Sequence, residues 1–181
     1  MQTYIALHRA INVLGKNTIK MDQLRKLFGE LGFIDVRTYL QSGNVVFAST
    51  ETNTDEIAQR ISDAIKQTLG LNVRVLVFPA GYLKQVVHGN PFLNEPDKNP
   101  AFMHVTFLES ERNADASIIH ARAAEGEDFH ISGKTVYLYC PFGYGRTKLT
   151  NTLFESKLKT TATTRNWKTV TELLKMSHEF S

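Results

Sequence analysis

The sequence predicts an α+β protein made of two successive βαββαβ units, and three observations predict it. Short β-rich runs alternate with stretches whose apolar residues recur at helical spacing. Two tight turns, Ser42-Gly43-Asn44 and Ser132-Gly133-Lys134, each join a pair of such runs. The order strand, helix, hairpin, helix, strand is then met twice along 181 residues. At that length roughly 70% of the unfolded surface can be buried, enough for one domain or two small ones. With 42% apolar and 22% charged residues the chain reads as globular rather than disordered.

Thr3 to Leu7 is the first strand, and a polar loop with Gly15 and Asn17 follows it. Met21, Leu24, Leu27, Phe28 and Leu31 mark a helix that Gly32 stops. Val36 to Leu40 and Val45 to Phe47 flank the first hairpin, where glycine supplies the positive φ. Ile57, Ile61 and Ile65, with Ala58 and Ala64, form a second amphipathic stripe ended by Gly70. Val73 to Phe78 closes the unit before Pro79. This is the order of a ferredoxin-like plait, and the first domain is set at 1–79.

The second domain, 80–181, begins with a helix from Ala80 to about Val87 and an Asn- and Pro-rich connector over 89–100. Phe102 to Leu108 is a strand and Ala114 to Ala123 a helix. Phe129 to Ile131 and Thr135 to Tyr139 form the second hairpin. Leu149, Leu153 and Phe154 mark a helix, and the β-branched run Thr160 to Thr164 suits a fourth strand. A final helix from about Asn166 to Met176 is extra. No residue-level repeat relates the halves, so the duplication is one of topology.

Five strings stand out: RAINVLGKN at 9–17, YLQSGNVVF at 39–47, NPF at 90–92, PFGYGRTKLTN at 141–151 and ATTRNWKTVTELL at 162–174. With them the chain resembles, from Tyr4 to about Leu174, the bacterial family catalogued as domain of unknown function 1697. The resemblance implies two fused ferredoxin-like sandwiches and no established activity, substrate or catalytic residue. The family's first loop usually reads RGINVGG; here Ala10 and Leu14 stand where it has glycine.

Charge points to the last quarter. Between Gly143 and Lys168 lie Arg146, Lys148, Lys157, Lys159, Arg165 and Lys168 against Glu155 alone, although the whole chain has 21 basic and 18 acidic residues. In a plait the third and fourth strands run toward the same end of the sheet. The loop after the third, 140–147, and the segment after the fourth, 165–167, therefore lie together, each feeding a helix N-terminus with roughly half a positive charge. Arg146, Thr147, Lys148, Asn151, Arg165 and Asn166 are the expected anion site. The alternative is that Arg165 and Asn166 cap helices or pair with Glu155 or Glu172.

By the same topology the first loop meets the first hairpin. Arg9, Asn12, Lys16, Asn17, Ser42 and Asn44 then form a possible second patch, or a turn network that only fixes the loop. Tyr137 and Tyr139 share one face of their strand and Trp167 opens a helix beside Arg165. All three are stacking candidates, with packing as the alternative reading.

No catalytic constellation is found. The Gly143 to Lys148 turn lacks phosphate-loop spacing, and there is no serine-hydrolase elbow, zinc-protease motif or cysteine pair. The six histidines, His8, His88, His104, His120, His130 and His178, lack ligand spacing, so neither a metal nor a cofactor is expected. The lone Cys140 suggests a reducing cytoplasm. Apolar runs such as Val75 to Phe78 fall far short of the about 20 residues that span a bilayer, and the N-terminus lacks the pattern of a signal peptide. The reading is a non-catalytic cytoplasmic protein that binds an anion, most plausibly nucleic-acid phosphate. Two other classes stay open: an enzyme or sensor for a small phosphorylated or carboxylated metabolite, and a module that meets an acidic protein.

Overall fold

A computed structural model describes residues 1–112 and 116–178. It is a mixed α+β structure with two four-stranded antiparallel sheets and, among the described residues, six α-helices. The chain divides into two compact units, Met1–Gln85 with the segment from Glu172 onward, and Val86–Thr171.

The first unit runs β1 (Gln2–His8), α1 (Met21–Glu30), β2 (Ile34–Tyr39), β3 (Asn44–Ser49), α2 (Thr54–Leu69) and β4 (Val75–Pro79), with sheet order β2-β3-β1-β4. Side chains alternate across a strand, so Tyr4, Ala6, Val45, Phe47, Val75 and Val77 share the face that packs on α1 and α2. The helices answer with Leu24, Leu27 and Phe28 from α1 and Ile57, Ile61 and Ile65 from α2, all buried. Asn53 starts α2 by accepting from the Asp55 and Glu56 amides, and Gly70 ends it at φ 70°. On the sheet's edge β2 carries an irregularity between Ile34 and Arg37, with Asp35 at φ 52°. Such a kink discourages another strand from adding there.

The second unit runs β5 (Met103–Leu108), α4 (Ser117–His120), β6 (Asp128–Ser132), β7 (Thr135–Tyr139), α5 (Asn151–Leu158) and β8 (Ala162–Asn166), with sheet order β6-β7-β5-β8. Leu108, Phe129, Val136, Leu138, Cys140 and Ala162 meet Ile119, Leu149, Phe154 and Leu158 in its core. The expected helix over 114–123 is shorter, and its residues 114 and 115 lie outside the described ones. The expected strand over 160–164 begins and ends two residues later. Pairing with β5, Val105 opposite Arg165 and His104 opposite Asn166, carries it into residues expected to cap a helix.

α3 (Ala80–His88) and α6 (Trp167–His178) each cross a boundary between the units. The connector over 89–100 is ordered by side chains. Asn90 and Asn99 each cap a turn of 3₁₀ helix. Lys98 lies 2.8 Å from Asp128 and 3.1 Å from Glu95, with its ammonium 4.1 Å from the centre of the Phe92 ring.

Candidate functional site

The basic loop of the second unit occupies one end of its sheet. Tyr139 ends β7 opposite Met103, and Asn166 ends β8 opposite His104. The loop over 140–150 and the start of α6 therefore leave the sheet side by side, at the beginning of β5. Three turns fold the loop: Gly143 N–H to Cys140 O at 3.0 Å, Arg146 N–H to Gly143 O at 3.1 Å and Thr147 N–H to Tyr144 O at 3.4 Å. Gly143 sits at φ 88°, a conformation that costs glycine little. The Tyr144 ring lies over His104, centroids 5.0 Å apart and planes at 26°.

Hydroxyls here serve the backbone. Thr147 is buried and accepts from the Leu149 amide at 3.0 Å, while Thr150 accepts from Leu153 and caps α5. Asn151 is held through Oδ1, which accepts from the Thr164 hydroxyl at 2.6 Å; Thr164 also meets the Thr106 hydroxyl at 2.7 Å. The cations point outward. Arg146 and Lys148 are exposed, and among the described residues neither side chain makes an ion pair or hydrogen bond. Phe142 is 56% exposed in the same loop. Sequence reasoning passed over Phe142, although an aromatic ring between Pro141 and Gly143, just past a strand's end, has no core position to fill.

Arg165 does not join these cations. Thr164 faces α5, and its neighbour in an extended strand must face the other way. Arg165 is 8% exposed, and its guanidinium donates to Thr163 Oγ1 at 2.8 Å and Thr164 O at 2.9 Å. Asn166 caps α6 by accepting from the Thr169 amide at 2.8 Å. Lys168, exposed in the first turn of α6, is the cation that the segment presents instead. The aromatic candidates are enclosed: Trp167 and Tyr137 are buried, and the Tyr137 hydroxyl donates to Val86 O at 2.9 Å. Tyr139 lies against Phe92 and Phe102 and accepts from the Asn99 amide. None of the three offers an open ring face.

In the first unit, the first loop and the hairpin do come together, and their polar side chains face inward. The His8 amide and Nδ1 both reach Gly43 O, at 3.1 and 2.7 Å. Asn12 is the hub: Nδ2 donates to Ile19 O and Gln41 O, and Oδ1 accepts from the Ile19 amide. Asn17 donates to Ala10 O at 3.1 Å. Asn44, fully buried, donates to Tyr39 O and to the Ser42 hydroxyl. Arg9 is half-buried with its amide on Arg74 O, whereas Lys16 is exposed. Ala10, Asn12, Leu14 and Asn17 all have positive φ, between 48° and 56°. Ala10 and Leu14 thus keep a conformation that favours glycine. Beside this loop an open cleft of ≈ 490 Å³ is lined by Lys20, Met21, Asp22, Arg25, Thr38, Leu40 and Gln41. Arg25 is bonded there to Asp22 and Thr38.

Two titratable groups near the basic loop are perturbed. Burial holds the His104 imidazole below its ordinary value. Burial also pushes the Cys140 thiol up to about 11; the hydrogen bond with Thr147 opposes that rise and the charge of Glu127 adds to it. A thiol so protonated is a poor nucleophile. Among the described residues no group of three or more His, Cys, Asp or Glu side chains could hold a metal ion, and no helix is long and apolar enough to cross a membrane.

A family model described as "Protein of unknown function (DUF1697)" matches residues 1–137. A solved structure, that of the conserved bacterial protein SP0830 from Streptococcus pneumoniae, superposes with a TM-score of 0.72 at 21% identity, covering 97% of this chain and 98% of that one. At that identity the likeness speaks for the fold alone. No curated protein matches the chain.

Proposed function

This chain belongs to the DUF1697 family of proteins of unknown function, which assigns no activity, and we propose that it is a non-catalytic protein that binds single-stranded nucleic acid through the basic loop of its second unit. The observation that carries this reading is the exposure of Phe142 in the same loop as Arg146 and Lys148, whose charges no described residue neutralises. Cations that follow a phosphate backbone, beside an aromatic ring on which a base stacks, are the two parts of a sequence-tolerant single-strand surface. Lys168, at the same end of the sheet, extends the phosphate track. Asn151 and Asn166 contribute by shaping the two helix starts. Arg165 takes no direct part, because its guanidinium serves its own strand.

Both units are read as ferredoxin-like plaits, a reading supported by the matching sheet orders β2-β3-β1-β4 and β6-β7-β5-β8. A cytoplasmic setting is supported by the single, buried cysteine.

The test is fluorescence anisotropy with a labelled mixed-sequence DNA oligonucleotide across a salt series. Three available cations set a salt slope equivalent to about two to three neutralised phosphates. Arg146→Glu with Lys148→Glu abolishes binding and leaves the fold intact, and Phe142→Ala lowers affinity by about tenfold through lost stacking. Absence of binding even at low salt, where attraction is strongest, would hand the site to a small phosphorylated metabolite.

A further inference from the structure

Leu14 lies at the tip of the first unit's loop. The Lys16 amide donates to Val13 O at 2.9 Å, Val13 bridges Lys16, and Leu14 and Gly15 occupy the two central turn positions at φ 49° and 75°. Positive φ at both central positions defines a type I′ turn, where Asn, Asp and Gly are favoured and a branched apolar residue is not. Leu14 is also 96% exposed, and Val13 beside it 51%. A disfavoured backbone thus holds out a large apolar side chain that buries nothing within the fold. Folding supplies no reason for leucine here, and a strained position with no structural return points to binding.

Charge and shape around the tip define the partner. From Arg9 to Lys20 the loop has three basic residues and no acidic one, and Lys16 and Lys20 are exposed without an ion pair among the described residues. Asn12, two residues before Leu14, clamps Ile19 and Gln41, which sets the tip beside the cleft that Lys20, Gln41 and Leu40 line. We propose that Leu14 is an apolar anchor for a protein partner that presents an acidic segment next to an apolar socket. Leucine fills the socket and the partner's carboxylates meet Lys16 and Lys20. A lipid surface fits less well, because the cleft carries the Arg25–Asp22 pair, which a bilayer would have to desolvate. A two-fold contact with a second copy would oppose lysine to lysine. Nucleic acid gains nothing from an aliphatic tip that cannot stack. The inference concerns the first unit and stands independently of the reading of the second.

The experiment pans a random dodecapeptide display library on the intact chain and measures the selected peptides, fluorescein-labelled, by anisotropy. The expected peptides pair an apolar residue with neighbouring Asp or Glu. Leu14→Asn lowers their affinity at least about tenfold, as does the double reversal Lys16→Glu, Lys20→Glu. Asn suits the turn, so the Leu14→Asn chain melts no lower than the parent and the lost affinity is not lost folding. Leu14→Gly provides the same loss by a second route. Failure to select peptides, peptides lacking acidic residues, or binding unmoved by Leu14→Asn would overturn the proposal. So would Leu14-dependent sedimentation with phosphatidylglycerol vesicles, which assigns the tip to a lipid surface. Self-association abolished by Leu14→Asn would assign it to a second copy.

Discussion

The first unit's loop over 9–20 and the second unit's loop over 140–150 both combine glycine, threonine and exposed basic residues, yet they differ in what else they present to solvent. In the first, Asn12 and Asn17 turn inward onto backbone carbonyls, and Leu14 is the most exposed apolar side chain. In the second, Thr147 and Thr150 hold the backbone while Phe142, Arg146 and Lys148 face outward. The difference teaches that a polar residue in a turn advertises a hydrogen-bonding need and not a binding capacity. What a loop offers a partner is whatever remains after its own backbone groups are satisfied.

The sharpest way to break the comparison is through two glycines, Gly43 in the hairpin that packs on the first loop and Gly143 within the second. A Cβ on Gly43 would lie 2.4 Å from Ile11 Cδ1 and 2.9 Å from His8 Cβ, at φ +75°. Gly43→Ala combines backbone strain with overpacking and costs on the order of 3 kcal/mol or more. A Cβ on Gly143, at φ +88°, would meet nothing within 4 Å. Gly143→Ala costs only the conformational term, about 1–3 kcal/mol at φ 88° and ψ 146°, a region that is almost glycine's alone. Urea denaturation of both variants checks this; equal losses would mean that the first loop is no more tightly packed than the second.

A smaller effect tests how firmly the basic loop is anchored at Cys140. Its thiol, fully buried and pushed up to about 11, keeps its proton in the folded protein after the unfolded chain has lost it. Between about pH 9 and 11 the native state therefore binds more protons than the unfolded one, and stability falls as pH rises, by about 2 kcal/mol. Below pH 9 that contribution is complete. Denaturation midpoints compared with Cys140→Ala isolate it, since the variant lacks this part of the alkaline decline. Parallel curves for the two proteins would show a thiol that ionises as readily folded as unfolded.

Much of the fold was legible because its signals are local. Ser42-Gly43-Asn44 between β-rich runs marks a hairpin, and Ile57, Ile61 and Ile65 mark one face of a helix, whatever lies around them. The end of β8 was not legible. The β-branched run stops at Thr164, and Arg165-Asn166 before a helical pattern reads as a cap; only pairing with β5 carries the strand through Asn166. That shift decides the site, because alternation then turns Arg165 away from Thr164 and Asn151. Topology correctly brought residues 140 and 166 to one sheet end. It could not assign side-chain faces until the register was known. Burial of Tyr137 and Trp167, and exposure of Phe142, likewise depend on tertiary packing that no short window of sequence contains.

The finest test asks whether the left-handed positions of the first loop carry the cost assigned to them. Ala10 at φ 56° and Leu14 at φ 49° adopt a conformation disfavoured for residues with a Cβ by roughly 1–2 kcal/mol. Glycine removes that strain but enlarges the conformational freedom of the unfolded chain, which takes back about half or more of the gain. Ala10→Gly and Leu14→Gly should therefore each raise stability by only about 0.5 kcal/mol. Leu14 is the cleaner site, since at 96% exposure almost no packing is lost with its side chain. Melting temperature and urea midpoint, measured on the single and double variants, check the sign and the additivity. The second loop contains no counterpart, since its one positive φ already belongs to Gly143. A loss of stability in Leu14→Gly would mean that the leucine supports the turn after all, and would remove the strain from the case for an apolar anchor.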